Sequence, residues 1–153
     1  MNLEIKYLHQ NAKADRAHEA DAGLDLYVTS INKTENYIEY GTGVAVSIPE
    51  GYFGLLCTRS SVSKKDIRMV NPPGIIDSGY HGELKILFDY KKINVQDFIN
   101  LTLEDKTFEK EYKFGDKIAQ LVVLPLVNYN IYVVNKFTKK TKRGEKGFGS
   151  TGA

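Results

Sequence analysis

Apolar residues recur at every second position along this chain, and this period of two constrains the fold more than any other feature of the sequence. Leu24 and Leu26 alternate with other residues in one segment, and Phe53, Leu55 and Cys57 do so in a second. Side chains of a β-strand point alternately to its two faces, so a period of two predicts strands with one buried face. The same period predicts further strands at residues 84–90, 118–124 and 131–133.

The rest of the sequence favours an all-β fold with little helix. Glycine, proline, asparagine and aspartate separate the alternating segments, as expected between strands, and no long segment shows a helical period. Residues 62–68 and 95–100 are each predicted to form a short helix. Many short strands and few helices predict a sandwich, a jelly roll or a barrel. With 153 residues, of which 42% are hydrophobic, the chain is predicted to fold as one domain.

Composition argues against several classes of protein. No apolar run is long enough to span a membrane, and the charged start MNLEIKYLHQ is unlike a signal peptide. A single cysteine, Cys57, fits the reducing cytoplasm. The net charge of +2 arises from interleaved basic and acidic residues, so no nucleic-acid partner is expected. His9, His18 and His81 show no metal-ligand spacing, so phosphate chemistry here would need a hard cation with oxygen ligands.

Two polar clusters interrupt the strand pattern in the first half of the chain. In DAGLDLY (21–27), Asp25 lies between two alternating leucines and therefore points away from the face they use, which by itself indicates a solvent-facing residue. In TRSSVSKK (58–65), Arg59 offers donors suited to phosphate oxygens, and Ser60 and Ser61 add neutral donors. A serine N-cap of a short helix beside a surface arginine explains this second cluster equally well.

Two further clusters follow. In NPPGIIDSGYHGEL (71–84), apolar runs flank a Ser-Gly pair, which predicts a hairpin turn with Asp77 just before it. Asp77 is then either an ordinary turn aspartate or a general base facing a pocket, and Tyr80 is either a packing residue or part of that pocket. In FGDKIAQLV (114–122), Gln120 falls on the same predicted strand face as Ile118 and Val122. A buried glutamine needs partners, so it belongs to a network or binds a ligand.

The order of these clusters, followed by RGEKGFGSTG (143–152), resembles the five ordered motifs of the trimeric dUTP diphosphatases, or dUTPases. The motifs are AGLDL, RSS, GIIDSGYHGEL, GDKIAQL and RGEKGFGSTG, and they span residues 22–152. The resemblance implies a distorted β jelly roll, a dUTPase-like β-clip, that assembles as a homotrimer. It also implies a hydrolase of nucleotide metabolism that converts dUTP to dUMP and pyrophosphate with Mg²⁺. Such an enzyme removes dUTP from the nucleotide pool and supplies dUMP.

The resemblance assigns roles to individual residues. Asp77 would deprotonate the water that attacks the α-phosphorus, and Asp25 would hold Mg²⁺ through a coordinated water. Tyr80 would pack against the deoxyribose and exclude a 2′-hydroxyl. The other site residues in or beside the first four motifs divide between two tasks. Arg59, Ser60, Ser61 and Gln120 would bind the phosphate chain, and Asn71, Gly74, Ile75, Ile76 and Lys85 would read uracil, largely through backbone groups.

Residues 138–153 are expected to form a flexible arm attached to a β domain of residues 1–137, because so glycine-rich a strip cannot pack a core. In the dUTPases such an arm closes over the site of another subunit. Phe148 would stack on uracil, Arg143 would meet the γ-phosphate, and Gly149 and Ser150 would lie along the phosphates. The basic TKKTKR (138–143) would be a solvated leash that attracts a triphosphate.

The chain departs from the usual dUTPase pattern in its motifs and in one link. The link at residues 89–112 is longer than usual and is interpreted as an insertion. Some viral and phage relatives bind proteins through extra segments at this point, so a protein partner of the insertion is one expectation. Thr58 stands where proline is usual, Ser61 and Lys146 where glycine is usual, His81 where arginine or glutamine is usual, and Pro72-Pro73 is unusual beside the uracil site.

Two other functions match part of the pattern. A dCTP deaminase shares the fold and the RSS-type motif and needs a glutamate after the hairpin, where Glu83 lies. Tyr80 in place of the tryptophan of that family, and the GFGSTG arm, favour the dUTPase. A non-catalytic module that regulates through the insertion is the second alternative, but the chain retains the polar residues that such a module loses. They are Asp25, Arg59, Asp77, Gln120 and Arg143.

Overall fold

The computed structural model describes residues 1–90, 111–142 and 144–145. Within these residues the chain forms ten strands and one short 3-10 helix, which spans Ser60–Lys64. The strands are β1 (Glu4–Tyr7), β2 (Ala14–Asp15), β3 (Leu24–Tyr27), β4 (Ser30–Lys33), β5 (Ile38–Ser47), β6 (Tyr52–Thr58), β7 (Ile67–Met69), β8 (Gly74–Ile76), β9 (Glu83–Tyr90) and β10 (Lys117–Pro125).

The strands form two five-stranded antiparallel sheets. The first sheet has the order β1-β5-β9-β7, with β4 also paired to β5, and the second has the order β2-β3-β10-β6-β8. Neighbours in each sheet come from distant parts of the sequence, as when β10 lies between β3 and β6. The all-β class predicted from the period of two is therefore confirmed.

The core lies between the inner faces of the two sheets. Tyr40 of β5 and Phe88 of β9 pack edge to face, with ring centroids 5.7 Å apart. Each such apolar side chain contributes about 1.5–3 kcal/mol when fully buried. The buried core residues are Leu26, Val28, Ile38, Tyr40, Val44, Val46, Ile48, Leu56, Ile67, Leu84, Ile86, Phe88, Tyr112, Ile118, Ala119 and Leu121.

The buried face of β6 differs from the prediction. Leu56 is buried and the backbone at Gly54 lies against Leu121, whereas Phe53, Leu55 and Cys57 are only half-buried. Both faces of this strand carry apolar side chains, so alternation alone does not decide which one enters the core. The second sheet therefore has an apolar outer face at the centre of β6.

The face of β10 also differs, because the strand contains an irregularity. Its pairing with β3 shifts register between Lys117 and Ala119, so the adjacent Ile118 and Ala119 are both buried in the core. Such a bulge puts one extra residue into a strand and rotates the side chains that precede it. Gln120 consequently lies on the outer face with Val122 and does not share a face with Ile118.

The predicted hairpin at residues 77–80 is a turn between sheets. The turn itself forms, since the amide of Tyr80 donates to the carbonyl of Asp77 at 3.0 Å. However, β8 pairs with β6 and β9 pairs with β5 and β7, so the two flanking strands lie in different sheets. The two apolar runs therefore do not pair with each other.

Three predictions of local structure are wrong or lie outside the described residues. The predicted helix at 62–68 is instead the 3-10 helix at Ser60–Lys64 followed by β7. No strand forms at 131–133, where Val133 is 96% exposed and no described strand lies alongside to pair with it. The predicted helix at 95–100 lies outside the described residues.

Among the residues that the structure describes, no helix has the length and apolar character needed to cross a membrane.

Candidate active site

Asp25 and Gln120 meet because their strands are neighbours in the second sheet. The two residues are direct cross-strand partners between β3 and β10, and directly opposed side chains on one face of a sheet lie within contact distance. The side-chain amide of Gln120 donates to Asp25 Oδ1 at 2.9 Å. Asp25 is 3% exposed, so the interpretation as a solvent-facing residue is wrong. Other polar side chains cover it.

Two cations complete this cluster. Arg59 directly follows β6, whose last residue pairs with β10, and its Nε lies 3.0 Å from Asp25 Oδ1. The ammonium of Lys117 donates to Asp25 Oδ2 at 2.8 Å. Lys117 was missed by the sequence reasoning, although it stands in the quoted GDKIAQL. In a regular strand Lys117 and Gln120 would face opposite sides, and the bulge in β10 brings them to the same carboxylate.

The electrostatics of the cluster favour an anionic ligand. Burial is the largest influence on the pKa of Asp25 and raises it, but the hydrogen bonds from Lys117 and Gln120 and the charge of Arg59 together lower that pKa below its ordinary value. The hydrogen bond to Asp25 in turn raises the pKa of Lys117. Two cations around one ionised carboxylate leave an excess positive charge, which suits a phosphate.

A second network holds Lys117 from the other side. Its ammonium lies 5.5 Å from the ring centroid of Tyr27, and the Tyr27 hydroxyl donates to Asp15 Oδ1 at 2.9 Å. Lys13 pairs with the same Asp15 carboxylate. Because each member is held by the next, the ammonium that contacts Asp25 is positioned before any ligand binds.

The two serines begin the short 3-10 helix. Arg59 is the N-cap of the helix at Ser60–Lys64, it has extended backbone angles, and no side chain caps the first turn. The interpretation of Ser60 or Ser61 as the N-cap is therefore wrong. The sequence Arg59-Ser60-Ser61 instead carries the chain out of β6 at the edge of the Asp25 cluster.

Asp77 lies away from that cluster. It is exposed and follows β8, which runs antiparallel to β6 with Ile76 opposite Gly54. Arg59 follows the other end of β6. A strand rises about 3.3 Å per residue, so the stretch from Gly54 to Arg59 spans roughly 16 Å. Within one chain, the predicted general base and the predicted phosphate-binding residues therefore occupy opposite ends of a strand.

The predicted uracil-binding residues lie on more than one element. Asn71 is exposed in the loop before β8, and Ile75 in the middle of β8 is 67% exposed. Since β8 is the edge strand of its sheet, its outer backbone edge is open to a ligand's hydrogen bonds. Lys85 instead lies in β9 of the other sheet, where its ammonium donates to Glu39 at 2.9 Å.

Tyr80 lies in the connection between these strands. Its hydroxyl donates to the carbonyl of Glu83 at 3.0 Å, and its ring lies so close to Gly82 that a Cβ there would meet it at 2.6 Å. The ring is 46% exposed. The predicted arm residues Arg143, Phe148, Gly149 and Ser150 lie outside the described residues.

Metal binding by the described residues has to depend on few protein ligands. No group of three or more histidine, cysteine, aspartate or glutamate side chains suited to a metal ion occurs among them. Asp25 accepts hydrogen bonds from Lys117 and Gln120 and forms an ion pair with Arg59. A carboxylate has about four lone-pair sites, so room remains for one further donor such as a metal-bound water. This donor set fits an outer-sphere contact to a hydrated Mg²⁺.

Comparisons with known proteins identify relatives of this chain. The family model for dUTPase matches residues 11–152. A deoxyuridine 5'-triphosphate nucleotidohydrolase of Clostridium tetani is 36% identical over 98% of this chain and 96% of its own length.

Solved structures of phage enzymes share the fold. A mutant dUTPase of Staphylococcus bacteriophage 80alpha with dUpNHpp aligns with a TM-score of 0.79 and 35% identity over 99% of both chains. A mutant dUTPase of phage phi11 of S. aureus, described with a structural Mg(II) ion, aligns with a TM-score of 0.69 and 29% identity over 91% of this chain and all of the other. The match of sequence, motif order and fold establishes that this chain belongs to the dUTPase family.

Proposed function

We propose that this protein hydrolyses dUTP to dUMP and pyrophosphate. The observation that carries the proposal is the buried, ionised Asp25, which holds Arg59, Lys117 and Gln120 together beside the serines that follow β6. Donors that are fixed before the reaction stabilise developing phosphate charge without reorganising. The membership of the dUTPase family gives the substrate, since a relative in Clostridium tetani is a deoxyuridine triphosphate nucleotidohydrolase.

The phosphate chain is assigned to Arg59, Ser60, Ser61 and Gln120. The guanidinium of Arg59 directs its Nε toward Asp25, which leaves its other two nitrogens to donate to phosphate oxygens. Gln120 gives one amide proton to Asp25, so its carbonyl and second proton remain for the ligand or a water. Asp25 therefore acts by orienting both residues.

The water-activating base is assigned to Asp77. The carboxylate is exposed at a turn, so it is accessible to a water and a nucleotide brought by another chain. Mg²⁺ is proposed as the cofactor, with Asp25 bonding one of its waters. When bound, the ion supplies positive charge to the triphosphate oxygens.

Uracil recognition is assigned to the edge of β8. Backbone donors and acceptors of Gly74, Ile75 and Ile76 on the open strand edge can match the edge of a base, with Asn71 and Lys85 nearby in sequence as further candidates. Tyr80 is proposed to pack on the deoxyribose, because its ring stands exposed beside the same turn.

The active unit is proposed to be a homotrimer with shared sites. Support comes from the separation of Asp77 and Arg59, since a site that uses both has to draw them from different chains. Further support comes from apolar surface, both on the outer face of β6 and along residues 126–137, where Tyr129, Ile131 and Phe137 are exposed. Contiguous exposed apolar surface is typical of sites of protein contact.

The remaining assignments extend the family pattern. Residues 138–153 are proposed as the closing arm, with Arg143 on the γ-phosphate, Phe148 on uracil, and Gly149 and Ser150 along the phosphates. A protein partner is proposed for the insertion at 89–112. The cytoplasm is proposed as the compartment, because Cys57 is a free thiol.

One observation weighs against the deaminase alternative. Glu83, the residue that a dCTP deaminase would need, accepts a hydrogen bond from the amide of Gly43 at 2.7 Å. Gly43 has a φ of 64° at the register shift in β5, a conformation that favours glycine. Glu83 thus has a structural role in stabilising this irregular backbone.

A single experiment separates these functions. Purified protein is incubated with Mg²⁺ and either dUTP or dCTP, and both pyrophosphate and ammonia are measured. Pyrophosphate from dUTP without ammonia is the expected result. Ammonia from dCTP would indicate the deaminase, and neither product would indicate the binding module.

A further inference from the structure

Glu83, the first residue of β9, lies at an irregularity in the pairing of β5 with β9. Lys85 pairs with Gly41, whereas Glu83 itself pairs with Ala45. Between these two pairs, three residues of β5 therefore lie opposite a single residue of β9. Extra residues in one strand disrupt the ladder locally, so backbone groups of β5 need other hydrogen-bond partners here.

The side chain of Glu83 supplies one of these partners. Gly43 is buried at the centre of the irregularity, and its amide donates to Glu83 Oε1 at 2.7 Å. The same oxygen lies so close to Gly41 that a Cβ there would meet it at 2.7 Å. A buried amide without an acceptor is costly, so the Glu83 carboxylate stabilises this shape of β5.

The start of β9 has strand support on one side. Strand β7 pairs with the other end of β9, at Phe88, Asp89 and Tyr90. In the part of the chain that the structure describes, the strand that pairs with Glu83 is β5 alone. The position of the Glu83 backbone therefore depends on β5 and on the hydrogen bond from Gly43.

The backbone of Glu83 in turn holds Tyr80. The Tyr80 hydroxyl donates to the carbonyl of Glu83 at 3.0 Å. The ring also lies against Gly82, where a Cβ would meet the ring carbon Cζ at 2.6 Å. Because 46% of Tyr80 is exposed, packing from the core covers only part of the ring. These contacts with the backbone of residues 82 and 83 therefore determine where the ring lies.

We propose that Glu83 is a positioning residue, which fixes the Tyr80 ring and thereby sets the selectivity for 2′-deoxynucleotides over ribonucleotides. This inference rests on the proposed dUTP hydrolysis and on the proposed packing of Tyr80 against the deoxyribose. The carboxylate of Glu83 is held by Gly43, and the carbonyl of the same residue holds the phenol. A ring that excludes one oxygen atom has to be held to within about 0.5 Å, and this connection supplies that constraint.

The test compares Glu83→Ala with Glu83→Gln, whose side-chain carbonyl can still accept the Gly43 amide. The measurement is the ratio of kcat/KM for dUTP to kcat/KM for UTP, from pyrophosphate release. In Glu83→Ala this ratio should fall roughly 2- to 10-fold, the size of one net hydrogen bond, mainly because UTP becomes a better substrate. Glu83→Gln should keep the ratio of the wild-type protein.

The control for a general loss of stability is Ile86→Val. Ile86 is buried in the core on the same strand β9, so removing one methyl group should lower Tm without changing the bond between Glu83 and Gly43. The ratio for dUTP over UTP should stay unchanged in this variant. Titration calorimetry with α,β-imido-dUTP and α,β-imido-UTP measures the same selectivity without turnover.

Tyr80→Phe tests the other end of the connection and applies even if Glu83→Ala does not fold. It removes the hydroxyl that bonds the Glu83 carbonyl, so part of the selectivity should be lost. In the double variant with Glu83→Ala, the two losses should not multiply, because both changes break one connection.

Wild-type selectivity in Glu83→Ala or in Tyr80→Phe would overturn the inference. An equal loss in Glu83→Gln would also contradict it, and so would an equal fall in activity toward both nucleotides that follows a lower Tm. If the wild-type protein hydrolysed no dUTP, the proposed function would fail and this inference with it. Hydrolysis that favours dUTP in all of these variants would instead overturn this inference alone, so the two failures are distinguishable.

Discussion

At the scale of single residues, Asp25 organises the cluster that is proposed to bind phosphate. Its two carboxylate oxygens contact Arg59, Lys117 and Gln120. Among the described residues, none of these three side chains pairs with another carboxylate. A charged hydrogen bond is worth more than a neutral one, and a buried charge without partners is costly. The same interactions that stabilise Asp25 therefore also orient the groups that are proposed to meet the substrate.

The variant Asp25→Asn should be less stable in a pH-dependent way. The pKa of Asp25 is lowered in the folded protein from the ordinary value of 3.8. The carboxylate therefore contributes stability that is present above that value and is lost as pH falls through the lowered folded pKa. Thermal unfolding of the wild-type protein and of Asp25→Asn between pH 7 and pH 3 should show a difference in Tm that becomes smaller as the pH falls. A constant difference in Tm across this range would contradict the assigned role of the charge.

The variant Asp77→Asn should fold normally and bind nucleotide but lose turnover. Asp77 is exposed, and the asparagine keeps its shape, so the fold has little to lose. General bases typically contribute about 10²–10⁴-fold to the rate, and kcat should fall by that amount. Pyrophosphate release measures kcat, and binding of α,β-imido-dUTP shows that the site is intact. Glu50→Gln, another exposed turn carboxylate, is the control. Full activity in Asp77→Asn would assign the base elsewhere.

At the scale of elements, the connection from β8 to β9 carries the residues that are proposed to contact the nucleotide. It leaves the edge of one sheet and enters the other, so its side chains stand at the rim of the sandwich. Gly82 allows the ring of Tyr80 to lie against the backbone, since any side chain there would displace it. The hydrogen bond from Tyr80 to the Glu83 carbonyl then fixes the ring.

The variant Tyr80→Ala should therefore lose selectivity for dUTP over UTP. Removing the ring opens space for the 2′-hydroxyl, and the ratio of kcat/KM values for the two substrates should fall roughly tenfold, as for other changes of a few atoms in a pocket wall. Tyr80→Phe is the matched control, because it keeps the ring and removes the bond to Glu83. Unchanged selectivity in the alanine variant would exclude Tyr80 as the steric gate.

At the scale of the whole molecule, the distance between Asp77 and Arg59 makes assembly a condition for the proposed activity. The two lie at opposite ends of β6, roughly 16 Å of strand apart. Neither end can bend toward the other, because β6 is paired along its length with β10. A site that needs both groups has to form between chains.

Mixed assemblies of two variants should test whether each site is formed by residues from different chains. A chain ending at Lys142 lacks the proposed arm, and Asp77→Asn lacks the proposed base, so each should hydrolyse dUTP poorly alone. Co-refolded mixtures should regain activity, because some sites then combine an intact Asp77 with an arm from the other chain. The measurement is pyrophosphate release from mixtures against each variant alone, with size-exclusion chromatography as the control for assembly. Activity equal to the sum of the separate variants would argue that each arm serves its own chain.

The sequence by itself determined four of the strands, β3, β6, β9 and β10, together with the all-β class, the motif order and the family. Alternation follows from the geometry of a strand, and each motif is a short run of neighbouring residues, so both can be recognised without a structure. The tertiary structure decided which face of β6 is buried, that Lys117 contacts Asp25, and that Asp77 lies away from the Asp25 cluster. These features depend on register, on one bulge in β10 and on contacts between distant segments, and a one-residue shift of register reverses every side chain of a strand.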